Sequence, residues 1–182
     1  MQWTIPGTTL TGKRSDADRT DGLFQSMFLA GGLTLSQVSS ITGLEHYTIQ
    51  NWVKRGFLSP PVQKRYNMEQ VCRLININIL KGTMPLEQII KLMAYLNGDL
   101  ADESDDLEDD TMLFFLFVRL AARARHICGT KAWDDSLTEV TADYREPSPG
   151  AREKLIRVLK IMLTIWCANS LKAQAESMLA EL

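Results

Sequence analysis

The sequence predicts an all-α protein: a helix-turn-helix unit with at most a short β-ribbon wing, followed by a helical C-terminal domain. Three observations lead there. Between Thr34 and Gly56 two short amphipathic stretches each stop at a glycine, the punctuation of helix, turn, helix. Residues 99–110 hold eight acids and no base, which marks a boundary. From Ala151 onward apolar residues keep helical spacing for nearly thirty positions.

In chain order, residues 1–20 contain two glycines, several threonines and little periodicity, and are expected to form an N-terminal arm. Leu23, Phe24, Met27 and Phe28 sit at helical spacing over 21–30, stopped by Gly31 and Gly32. Thr34 followed by Gln37 is a capping-box start, with Leu35, Val38 and Ile41 as the apolar stripe and Gly43 as the stop. A second helix over Glu45–Arg55 buries Ile49, Trp52 and Val53 and ends at Gly56. Ser59, Pro60 and Pro61 break the chain, and Val62–Tyr66 has the makings of a short ribbon. Asn67 caps a helix reaching about Lys81, and Pro85 starts another that places Leu86, Ile89, Ile90, Met93 and Leu96 on one face before Gly98.

Beyond the acidic tract, a helix over Thr111–Ile127 is apolar on every face in its first half, from Met112 through Phe114, Phe115 and Phe117 to Val118, and Gly129 ends it. Residues 130–150 read as a loop with room for a short helix. In the final helix Leu155, Leu159, Met162 and Trp166 follow 4-3-4 spacing, flanked by Ile156, Leu163 and Ser170 and broadened by Ile161, Ile165 and Leu171. Such spacing serves a core or a helix pair, so a homodimer through the C-terminal helices is expected alongside an internal core. The organisation is therefore 1–20 arm, 21–98 helix-turn-helix domain, 99–110 acidic linker, and 111–182 helical domain for dimerisation, effector binding or both.

Composition sets bounds on function. With 45% apolar and 23% charged residues, the 182-residue chain is neither disordered nor fibrous. Twenty Lys and Arg against 22 Asp and Glu leave a net charge of −2, yet residues 33–98 carry seven bases and three acids. That segment is the basic one. Cys72, Cys128 and Cys167 are widely spaced and odd in number, so buried thiols are expected and not a disulfide or zinc framework. Met1–Pro6 has no signal-peptide pattern, and the longest apolar run, Met112–Val118, is far below the roughly 20 residues of a membrane span. A cytoplasmic protein without a membrane partner follows.

Calcium binding by the acidic tract lacks the sixth-position glycine of an EF-hand loop. Catalysis has little to work with. His46 and His126 are the two histidines, and there is no nucleophile elbow, phosphate loop or HExxH. No enzyme, metal or cofactor is expected.

The run Leu33–Gly43, then Tyr47-Thr-Ile-Gln-Asn-Trp-Val-Lys-Arg-Gly-Phe-Leu58, resembles the MerR-type winged helix-turn-helix. The resemblance continues through Lys64-Arg-Tyr66, Met68-Glu-Gln-Val71 and Leu86-Glu-Gln-Ile89. Thr48-Ile49 and Gly56-Phe57-Leu58 match the opening and close of that family's recognition helix, while Gln50 stands for its usual Arg, Asn51 for an aromatic, and the wing is shorter. Phe28-Leu-Ala-Gly-Gly-Leu33, Ile49–Gly56 and Asn97-Gly-Asp-Leu100 are similar to an uncharacterised bacterial family of unknown function with a MerR-like N-terminal part, over roughly residues 20–125. The resemblance implies a transcription-regulator fold.

On the helix-turn-helix reading, His46, Tyr47, Thr48, Gln50, Asn51, Lys54 and Arg55 remain on the outer faces of the second helix once Ile49, Trp52 and Val53 are buried. Gln50 and Asn51 suit bidentate pairing with adenine N6 and N7. Tyr47, Thr48, Lys54, Lys64, Arg65 and the Tyr66 hydroxyl suit phosphate contact, which sets register. The expected partner is double-stranded DNA. An apolar effector among Phe114, Phe115, Phe117, Trp133 and Trp166 is a further expectation. The alternative is a protein-interaction module that keeps the winged scaffold without docking on DNA.

Overall fold

Side-chain caps open three of the helices in a computed structural model of the chain, which describes residues 2–97, 109–124 and 131–181. Eight helices, α1 (Thr20–Phe28), α2 (Leu35–Thr42), α3 (His46–Lys54), α4 (Met68–Leu80), α5 (Leu86–Asn97), α6 (Asp110–Arg123), α7 (Lys131–Val140) and α8 (Ala151–Ala180), account for most of the described residues. Thr34 and Asn67 each form a full capping box, with Gln37 and Gln70, at the starts of α2 and α4. Gly43 closes α2 in the left-handed region at φ 68°, which a glycine adopts without a Cβ penalty. Asp109 caps α6 by accepting from the Met112 amide at 2.6 Å. The expected helix over 111–127 thus begins one residue earlier and ends sooner, at Arg123, where Ala124 turns extended at ψ 104°; Arg125, His126, Cys128 and Gly129 lie outside the described residues, as does the acidic tract before Asp109.

Two small antiparallel sheets accompany the helices. β1 (Gln2–Thr4) pairs with β2 (Thr11–Lys13), and β3 (Leu33–Thr34) pairs with β4 (Arg65–Tyr66) in the register Leu33 to Tyr66 and Thr34 to Arg65. The expected arm is therefore corrected: residues 2–13 fold as a hairpin, and a 3-10 helix (Arg14–Arg19) leads into α1. Tertiary contact is the cause. Ile5 and Ala17 are buried, and Thr9 donates its hydroxyl to the Ser40 carbonyl at 2.6 Å and its amide to that of Ile41 at 2.7 Å. Gly7, at φ 71°, lies so close to α4 that a Cβ would come within 2.8 Å of the Ile75 carbonyl oxygen.

α4 is the axis. It packs against α6 and α8, so residues on both sides of the acidic tract share one hydrophobic core. Its polar side chains act as pins on neighbouring backbone. Gln70 donates to the carbonyls of Ser59 and Pro60, Arg73 Nε to that of Phe57, and Asn78 to those of Gly7 and Thr42. Arg73 also forms a buried ion pair with Asp110 at 2.8 Å, to which Asn76 adds bonds from its amide. Arg14 clasps the end of α6, donating to the carbonyls of Ala121, Ala122 and Ala124 at 2.7–2.9 Å. A cation there complements the negative end of the helix dipole.

The aromatic residues of the second half fill space. Phe24, Phe114 and Phe115 form a triangle with centroids 5.1–5.6 Å apart, and Phe117 meets Trp166 edge-on at 6.2 Å. Phe114, Phe115, Phe117 and Trp133 are buried in this core. Cys72 and Cys167 are buried and form no disulfide among the described residues, as expected. Among the described residues no helix is long and apolar enough to cross a membrane.

Candidate nucleic-acid interface

α3 is amphipathic by construction. Ile49 and Trp52 anchor it in the core at 0% and 5% exposure, and Val53 is half-buried. That anchoring leaves His46, Tyr47, Gln50, Asn51, Lys54 and Arg55 exposed and Thr48 half-buried, as the helical spacing requires. α2 packs against both α3 and β4, so the helix and the ribbon are braced by one element.

The ribbon is a tight hairpin. Val62 bridges to Arg65, the Arg65 amide donates to the Val62 carbonyl at 2.9 Å, and Gln63 and Lys64 form the two-residue turn. Both turn residues have positive φ, 49° and 63°, as a type I′ turn demands and as non-glycine residues seldom adopt. Lys64 is exposed at this tip.

The cations of the region are not equivalent. Arg55 is bound to Glu87 at 3.1 Å and lies 4.5 Å from the centre of the Phe57 ring. The Glu87 carboxyl is held below the ordinary range by its own backbone amide and by Arg55. Arg65 Nη1 donates to the Gly32 carbonyl at 2.9 Å, which ties the ribbon to the start of β3. Among the described residues Lys54 and Lys64 have no ion-pair or side-chain hydrogen-bond partner.

Tyr66 requires a correction. Its ring is 3% exposed and belongs to the core, and burial raises the pKa of its hydroxyl. Its side chain is packed opposite Leu33 and is not presented on the surface. The alternation of a two-residue strand explains this: with Arg65 outward, Tyr66 must point inward.

Sequence reasoning missed the buried Arg73–Asp110 pair, which fixes α6 against the unit bearing α3. A signal was present. Arg73 lies in an otherwise apolar turn of α4, between Cys72 and Leu74, and such a cation needs a buried partner.

Among known families, one described as "Domain of unknown function (DUF1836)" matches residues 31–112, a span covering β3 through α5 and the start of α6. An uncharacterised protein of Bacillus subtilis, YkrK, is 31% identical over 77 residues, 40% of this chain. The match covers 33% of that relative's length. No solved structure matches.

Proposed function

We propose that this chain is a cytoplasmic DNA-binding transcriptional regulator of the MerR-like winged helix-turn-helix type, acting as a homodimer on duplex DNA. One observation carries the reading: α3 presents Gln50, Asn51 and Lys54 in the open, braced by α2 together with a hairpin whose tip is Lys64. Gln50 and Asn51 read adenine edges in the major groove. Lys54 and Lys64, free of internal partners among the described residues, neutralise phosphates, while Arg55 and Arg65 serve mainly to hold the scaffold.

Dimerisation belongs to the end of α8. Its buried residues stop at Cys167, and Leu171 and Met178, seven apart, are 60% and 63% exposed. A helix end of this length is marginal in water unless its apolar side is covered. A second copy supplies that cover and gives the two-fold symmetry that paired half-sites require.

Selection from a random duplex pool at about 0.15 M salt tests the proposal. A two-fold symmetric motif is the expected result. Leu171→Lys with Met178→Lys should convert a sedimenting dimer to monomer and weaken binding to that motif. Recovery of no motif would favour the second reading, a protein-interaction module. The exposure of Tyr47 and Val62, 72% and 75%, on the same unit supports that alternative.

A further inference from the structure

The N-terminal hairpin encloses a cleft that none of the DNA-facing residues touches. It has a volume of about 300 Å³ and lies between β1, β2, the 3-10 helix and α1. Trp3, Ile5 and Leu23 give it an apolar lining. Its opening has a local origin. Trp3 and Gly12 are cross-strand partners, so their positions share one face of the hairpin, and Gly12 contributes no side chain there.

The polar lining is less ordinary. Lys13 and Arg19 both border the cleft, and among the described residues neither is ion-paired or hydrogen-bonded through its side chain. Asp16 is the one acid of the lining, and its carboxylate already accepts from the Ser15 hydroxyl at 3.2 Å. Thr20 is 5% exposed, lines the cleft, and among the described residues its hydroxyl has no hydrogen-bond partner. That hydroxyl is available to a molecule in the cleft. Two unpaired cations, one available hydroxyl and an apolar wall suit an anion with an apolar body.

We infer that this cleft binds a small carboxylate with a compact apolar body, the carboxylate meeting Lys13, Arg19 and the Thr20 hydroxyl and the body resting on Trp3, Ile5 and Leu23. The volume is at the lower limit for ligand pockets, which restricts the body to about one ring. Arg14, the residue after Lys13 and the first of the 3-10 helix, clasps the end of α6, so an occupied cleft braces the 3-10 helix that carries that clasp. The inference stands apart from the DNA-binding proposal.

Calorimetric titration of the full chain tests it, with benzoate as the probe and benzamide and inorganic phosphate as controls. Benzoate should bind saturably at one site, and neither control should match it. Lys13→Gln and Arg19→Gln should each weaken benzoate about tenfold, and Thr20→Val several-fold. Gly12→Val is a packing test, because a Cβ at Gly12 meets no atom within 4 Å. That variant should melt at or above the parent's temperature yet lose benzoate binding. Absence of saturable benzoate binding to the parent, equal binding by both charge variants, or phosphate binding as tightly as benzoate would each overturn the inference.

Discussion

Arg73 and Asp110 show how one pair of side chains determines the relation between the two halves of the chain. Both are nearly buried, and each has further hydrogen bonds, Arg73 to Phe57 and Asp110 from Asn76. Removing one partner leaves a buried charge, so Asp110→Ala should lower the unfolding free energy by about 3–5 kcal/mol, read from the denaturant midpoint. Replacing both, as Arg73→Met with Asp110→Leu, should recover most of that loss. Cys72 gives a pH-dependent test. Burial pushes its thiol pKa far above that of a free thiol, with Asp110 and Asp109 adding to the effect and a hydrogen bond with Thr111 opposing it. The unfolded thiol ionises above about pH 8.5 while the folded one keeps its proton. The unfolded state then binds fewer protons, so stability falls as pH rises, by up to about 1.4 kcal/mol per unit from this group. Alkylation followed by mass spectrometry should accordingly modify Cys72 only in denaturant. Neither feature was fully legible from sequence: Cys72 could be read as buried, but the partner of Arg73 lies 37 residues away.

Among elements, the hairpin at Gln63 and Lys64 carries the clearest conflict between local preference and position. Two non-glycine residues with positive φ cost stability at a turn where Asn-Gly is the relaxed solution. Gln63→Gly should raise the unfolding free energy by about 0.5–1 kcal/mol, measured in a denaturant titration. Lys64→Gly should relieve similar strain while removing the tip cation. That contrast separates the turn's conformation from its charge. α2 and α4 were legible to the residue at their N-termini because a capping box is local chemistry written within four positions. The N-terminal hairpin was not legible. Strands of three residues are too short to show alternation, and their order comes from contacts with α2 and α4 far along the chain. Tyr66 was misread because its inward direction follows from Arg65 facing out, which only the pairing with β3 fixes.

The whole molecule behaves as one packed body in its described parts. The core runs from Ile5 through α4, α6 and α8 to Cys167, without a break at the acidic tract that the sequence marks as a boundary. Thermal unfolding monitored by calorimetry and by helical circular dichroism should therefore give one coincident transition. Separate transitions for the two halves would contradict the shared core. Charge patterning told where the basic segment ends but not how apolar faces pair across it, since pairing depends on distances that sequence spacing does not encode.

Fluorescence anisotropy across a salt series, on the duplex recovered by selection, decides whether the face bearing Lys54 and Lys64 engages DNA. Log affinity should fall steeply with log salt, and Lys54→Ala and Lys64→Ala should each reduce the slope by about 0.9. Arg55→Ala, whose cation is already engaged by Glu87, should change it far less. A parent whose binding ignores salt, or slopes unaltered by losing Lys54 and Lys64, would contradict the assignment of this face to DNA.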